Sequence, residues 1–174
     1  PNFPGSPTTD PVTGMKFEEI WEKGDRTTVE GVLKFQKDLG AWSSFRQLYY
    51  HRHDSFWWVV DGLPPGTRIC EYACGTAPIS NWIAENIKDR HFYFTIADLD
   101  CEHRAFGLWR LRERVERNNS PSTVKGLIST SDKLPLDGEY DVITITEALV
   151  LIHNPIEVVQ HITEHLRQGG KLWE

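Results

Sequence analysis

Residues 68–78 read RICEYACGTAP, followed directly by ISNWIAENI. RICEYA has the apolar, β-favouring character of a buried strand, and PISNWIAENI carries helical periodicity. Between them lies a loop of small residues. Gly75 permits close approach of a ligand to the backbone, and Pro78 suits a first helical turn because its missing N–H would have had no intrahelical partner. Thr76, Ala77 and Pro78 are therefore expected to open a helix whose free N–H groups and positive dipole end face a pocket. The alternative is a strand-to-helix turn that binds nothing.

The same alternation continues towards the C-terminus. HFYFTIAD (91–98) reads as a strand, and Glu102 to Arg117 as a long charged helix. TVKGLIS (123–129) is a strand, SDKLPLDGE (131–139) a loop and YDVITITEA (140–148) a strand. PIEVVQHITEHL (155–166) is an amphipathic helix, and KLWE (171–174) opens a last strand. Strands separated by helices require crossover connections, which gives an α/β fold with a doubly wound, mostly parallel sheet.

Working back towards the N-terminus, residues 1–14 lack apolar periodicity and read as a disordered lead-in. Residues 15–63 read as a helical cap. Phe17, Ile20 and Trp21 mark one short helix. Val29, Val32, Leu33, Phe35 and Gln36 mark a second, with Thr27 and Thr28 available as its N-cap. Ser43 or Ser44 opens a third helix carrying Phe45, Leu48, Tyr49, Phe56, Val59 and Val60. It ends at Gly62 before the breaker pair Pro64 and Pro65, where residues 64–174 begin the core.

Composition narrows the function. The 174 residues are 39% hydrophobic and 11% aromatic, ample for a buried core. Nineteen basic against 25 acidic residues give a net charge of −6, with no Lys/Arg stripe, so nucleic acid is not an expected partner. No apolar run approaches the roughly 20 residues that span a bilayer, and a cytoplasmic location without membrane contact is expected. Cys70, Cys74 and Cys101 lack paired metal-ligand spacing, so they read as reduced thiols and no metal is expected.

In sheets of this kind, ligands bind outside the carboxyl ends of the strands, where strand order reverses. Glu71, at the end of the first strand, can accept hydrogen bonds from an ammonium group or from loop N–H groups. Asp98 ends the second strand, and an acid about 20 residues beyond the glycine loop bonds ribose hydroxyls in nucleotide-binding sheets. Asp100 reads better as the N-cap of the helix that follows.

These residues resemble the class I S-adenosylmethionine-dependent methyltransferases of Rossmann-like fold, small-molecule type. The family loop D-x-G-C-G-T-G is matched by Glu71-Tyr72-Ala73-Cys74-Gly75-Thr76-Ala77. The segment YDVITITEALVLIHNP, from Tyr140 to Pro155, is similar to its E-V-L-E-H-x-x-D-P region, and HLRQGGKLWE to its L-x-P-G-G-x-L turn. The resemblance runs from about Thr67 to the end of the chain. It implies S-adenosylmethionine as cofactor, S-adenosylhomocysteine as product and a small-molecule acceptor. It also implies that Glu71, Ala73 and Gly75 line the methionine and ribose part, that Asp98 binds the ribose, and that Leu99 flanks the adenine. Ser131 and Asp132 fall where the third-strand loop meets the adenine amino group, although anchoring on Leu134-Pro135 puts Thr130 at that place instead. Glu147 to Leu149 form the wall near the sulfonium.

The departures from the family pattern are equally specific. Ala73 and Ala77 stand where the family loop has glycine, and a positive φ at either would cost about 1 kcal/mol. Val150 and Leu151 replace the Glu and His of the fourth-strand segment. Methyl transfer from a sulfonium is an in-line displacement driven by orientation in a dry pocket, so a base is needed only where the acceptor loses a proton. His153, His51 and His53 are the candidates for that base. His161 and His165, one turn apart on a helix remote from the strand ends, read as structural. The stretch QLYYHRHDSFWW (47–58) reads either as a helix packed on the sheet or as a lid in which Tyr49, Tyr50 or Arg52 reaches the cofactor or substrate.

The family's sheet continues beyond its fifth strand, so the core is expected to be incomplete, with its final strands missing. The edge thereby exposed is expected to pair with another chain, as in a homodimer. The competing reading of the whole chain is a catalytically silent module that binds S-adenosylmethionine or a nucleotide for interaction alone. A nicotinamide-dependent oxidoreductase is disfavoured, because CGTAP lacks the third glycine of the dinucleotide fingerprint.

Overall fold

The alternating pattern of residues 67–129 folds as a run of parallel strands and crossover helices in the computed structural model, which describes Thr9, Gly14, residues 16–130 and residues 133–174. Apart from Thr9 and Gly14, the expected disordered lead-in lies outside the described residues, as do Ser131 and Asp132. The core elements are β1 (Thr67–Tyr72), α4 (Pro78–Asn86), β2 (Phe92–Leu99), α5 (Glu102–Arg117), β3 (Thr123–Ser129), β4 (Tyr140–Thr144), α6 (Pro155–His165) and β5 (Leu166–Trp173). They are preceded by α1 (Phe17–Lys23), α2 (Val29–Tyr50), a 3₁₀ turn (His51–His53) and α3 (Trp57–Val60).

The sheet is wholly parallel, in the order β3-β2-β1-β4-β5. Strand order reverses at β1, so the crevice expected for a ligand opens between the loops that follow β1 and β4. Alternate strand residues feed two cores. Ile69, Phe92, Phe94, Ile96 and Val142 pack with Val59 and Val60 of α3, Ile83 and Ala84 of α4, and Leu111 of α5. On the opposite side Cys70, Ala97, Tyr140 and Ile143 pack with Val158 and Ile162 of α6.

Several boundaries differ from the sequence reading. Thr28 does cap α2, its hydroxyl accepting from Gly31 N–H at 3.0 Å. The expected second and third helices, however, form one 22-residue element kinked at Gly40 (φ 55°), and that element stops at Tyr50 rather than running to Val60. Asp100 is not the cap of α5: Cys101 holds that place, and the Asp100 carboxylate pairs with Arg104 at 2.8 Å. β4 ends at Thr144, short of the expected Ala148, and Glu147 in the connection that follows adopts φ 53°. β5 begins at Leu166, earlier than expected, with an irregular register between Tyr140 and Val142 of its partner. It is a sheet edge among the described residues. His161 and His165 tie α6 to the connection before β4: Leu136 N–H donates to His161 Nε2 at 3.0 Å, and His165 Nδ1 lies 2.5 Å from the Gly138 carbonyl.

Two contacts set the junction of β1 with the helices. Glu71 is 2% exposed, and its carboxylate accepts from Ile79 N–H at 3.1 Å and Ser80 N–H at 2.8 Å in the first turn of α4. The N–H groups expected to face a pocket are thus taken by the protein itself. Gly107 of α5 lies so close to the loop that a Cβ there would stand 2.7 Å from the Thr76 carbonyl carbon. Gly107→Ala is therefore expected to destabilise the fold by about 1–3 kcal/mol in a denaturant melt, despite alanine's better helix propensity.

Burial pushes the Glu71 carboxyl up to about 7, against the lowering effect of its bonds to Ser80 and Ile79 and of the charge on His51. A carboxyl raised in the folded state holds its proton more tightly there than in the unfolded chain. Its contribution is full below about 4.5 and is lost as the pH rises to about 7. Stability relative to Glu71→Gln is expected to fall across that window by up to about 1.4 kcal/mol per pH unit. A rising difference would mean that the two N–H bonds keep the carboxylate ionised.

Candidate functional site

The loop between β1 and α4 turns through three left-handed residues, Ala73 (φ 50°), Gly75 (φ 49°) and Ala77 (φ 51°). The two alanines that replace family glycines therefore keep a glycine-like backbone. Each carries the strain of a Cβ in that region, about 1–2 kcal/mol. Ala77 offsets part of it by burying its methyl completely, whereas Ala73 is half-buried.

Neighbouring elements hold the loop from every side. Cys74 N–H donates to the Ala97 carbonyl at 3.2 Å and Ala77 N–H to the Cys74 carbonyl at 2.7 Å. The buried Asn81 amide donates to the carbonyls of Ala77 (2.9 Å), Thr76 (3.3 Å) and Gly107 (3.3 Å), and its oxygen accepts from Arg114 at 2.6 Å. From α2, Gln47 Oε1 accepts from Thr76 N–H at 3.0 Å and lies 2.6 Å from where a Cβ on Gly75 would sit. A side chain at Gly75 would thus add the strain of its φ and displace the end of the Gln47 side chain.

Asp98 joins this loop to β2. One carboxylate oxygen accepts from Gly75 N–H and the other from Leu99 N–H, both at 2.7 Å. Burial raises its pKa, while the two N–H bonds and the Arg104 guanidinium lower it. An ionised carboxylate offers about four lone-pair sites, so two remain for hydroxyl donors. Leu99, half-buried, follows directly, and its carbonyl accepts from Arg104 at 3.3 Å.

Glu71, Ala73, Gly75, Asp98 and Leu99 are therefore gathered at the ends of two adjacent strands. The buried Glu71 carboxylate is spent on α4 and lies beneath the loop. Glu147 is exposed after β4, at the other side of the crevice. Thr130, the alternative to Asp132, is exposed and bridges to Lys133.

Of the three histidines, His51 is half-buried with Nδ1 2.7 Å from Asp54 Oδ2, whereas His53 and His153 are exposed. Arg52 donates to the Tyr49 carbonyl and lies 3.5 Å over the Tyr49 ring, turned back onto its own turn of the chain. Gln47 is the residue of that stretch that reaches the loop.

Gln47 and Asn81 were missed by sequence reasoning. A polar residue in a buried helix face is the only local signal for Asn81, and Gln47 has none, because its contact crosses from α2 to the loop.

Residues 70–172 match the family model described as a methyltransferase domain. No curated protein gives a match. Among solved structures, CalS10, an amino pentose methyltransferase from Micromonospora echinaspora, is similar at 17% identity and a TM-score of 0.49, over 75% of this chain and 55% of that one. A methyltransferase from Pyrococcus furiosus is similar at 19% identity and 0.42, over 74% and 60%. YjhP from E. coli is similar at 15% identity and 0.47, over 88% and 51%. The chain spans between about half and three-fifths of the length of these proteins. With the family model running from Cys70 in β1 to Leu172 in β5, well over half of its length, this chain belongs to the methyltransferase domain family.

Proposed function

We propose that the chain binds S-adenosylmethionine across the β1–α4 loop and transfers its sulfonium methyl group to a small-molecule acceptor. The observation that carries this reading is Asp98. It ends β2, bonds the glycine loop through Gly75 N–H and keeps lone pairs for the two ribose hydroxyls. When bound, the sulfonium supplies an activated methyl group. Gly75 presents its N–H to the ribose acid Asp98, and Leu99 offers apolar surface next to that acid. Ser131 and Asp132, together with Glu147, complete the assignment as residues toward the adenine and the sulfonium.

The fit is supported by the loop's backbone. Ala73 and Ala77 hold the left-handed conformation that glycine would supply, so the pocket's shape survives the substitutions. That observation favours a working cofactor site over a silent module. The remaining contribution of the protein is orientation and exclusion of water, which is how in-line methyl transfer is accelerated.

Calorimetric titration is expected to give micromolar binding of S-adenosylmethionine and S-adenosylhomocysteine and none of a nicotinamide dinucleotide. Asp98→Ala, checked for retained folding, is expected to weaken both sulfur ligands by tenfold or more, the loss of charged hydrogen bonds. No binding to the native chain would sink the reading. Ala73→Gly is expected to raise stability by up to about 1 kcal/mol and leave affinity unchanged; a lower melting temperature would show that the methyl group contributes more by packing than it costs by strain.

A further inference from the structure

The geometry points to His51, oriented by Asp54, as the general base at the acceptor position, and so to an acceptor atom that carries both a lone pair and a proton: a hydroxyl or a neutral primary or secondary amine of a small molecule. This rests on the S-adenosylmethionine reading above and adds the base and the acceptor class to it.

His51 caps the C-terminus of α2, one turn beyond Gln47. Its backbone N–H bonds the Gln47 carbonyl at the end of that helix. Since the Gln47 side chain lies against Gly75 and Thr76, this face of α2 looks onto the glycine loop. The His51 ring is 6.2 Å from that of Phe56, which in turn packs 6.3 Å from Trp82 of α4. The imidazole thereby packs, through Phe56, towards α4.

Asp54 lies on the same turn. Its N–H bonds the His51 carbonyl at 3.2 Å, and its Oδ2 stands 2.7 Å from His51 Nδ1. A carboxylate accepts only, so in the neutral ring Nδ1 carries the hydrogen and Nε2 is the acceptor. That is the arrangement of a base held in one tautomer by a neighbouring carboxylate, and Asp54 is the positioning residue. His53 and His153, both exposed, have no such orienting partner among the contacts of the described residues.

The step balances without a further reactant. The acceptor's lone pair forms the new bond to the methyl carbon, the S–C electron pair stays on sulfur as a neutral thioether, and the acceptor's proton passes to His51 Nε2. Solvent removes that proton after the product leaves.

Two measurements test this without knowing the acceptor. Nitrogen-15 NMR of the native chain is expected to show His51 in the Nδ1–H tautomer, and Asp54→Asn to lose that preference. In calorimetry, His51→Lys places a fixed positive charge at the site and is expected to raise the Kd for cationic S-adenosylmethionine about tenfold relative to that for the uncharged thioether S-adenosylhomocysteine. His51→Gln should leave that ratio unchanged. An unchanged ratio in His51→Lys overturns the base while leaving the cofactor reading intact. If that variant fails to fold, the native His51 ring resonances decide: they move more with S-adenosylmethionine than with S-adenosylhomocysteine, or the assignment fails. No binding of either ligand to the native chain overturns both.

Discussion

The Glu71 carboxylate sits beneath α4 with almost no contact with water and accepts the Ile79 and Ser80 N–H groups. A buried acid is tolerated only where such partners are supplied. Meeting this condition forces the chain to climb from Tyr72, pass over the carboxylate and descend into α4 within residues 73–77. The three left-handed residues of that loop are the consequence. Its remaining ties are to structures further off: Asp98 on β2, Asn81 on α4, Gly107 on α5 and Gln47 on α2. Strain at Ala73 and Ala77 persists because so many contacts determine the same path.

Much of this was legible in the residues themselves. α5 and β3 have the limits that periodicity gives them, and β1, β2, α4 and α6 differ by a residue or two. The helices carry helical periodicity, and β1 and β2 are short apolar runs of a fully buried strand. The place of Asp98 at the end of β2, next to the glycine loop, was legible from the strand pattern alone. The shift of β5 to Leu166 was not, since RQGG carries no strand pattern and enters the sheet only through an irregular register beside β4. Nor was the break after Tyr50 in a stretch rich in aromatic residues, where local apolar content continues but the chain needs a 3₁₀ turn to bring Phe56, Val59 and Val60 into the core.

Glu71 shows a different limit. Its type and position at a strand end are the same whether it faces a ligand or caps a helix, and only the path of the following loop distinguishes them. The N–H groups of α4 were likewise assigned to a pocket by a rule that holds when nothing nearby accepts them. Here an acceptor lies eight residues upstream of Ile79. Polar pairs built across that separation leave no periodic trace, and the same holds more strongly for Gln47, which crosses from α2 to Thr76.

α2 therefore has more effect on the site than its place before the sheet suggests. It carries Gln47 against the loop and, at its C-cap a turn later, leads into His51 beside Asp54. The helix is interrupted at Gly40, whose φ of 55° divides it into two segments. Trp42 and Ser43 bury the start of the second segment, and Phe56 with its neighbours anchors the chain beyond it. A segment fixed at both ends moves as one piece, so the Gln47 contact that steadies the glycine loop and the His51–Asp54 pair one turn later share a single positional constraint. On the proposed function, such joint placement matters because in-line methyl transfer depends on alignment of acceptor, methyl carbon and sulfur more than on any one side chain.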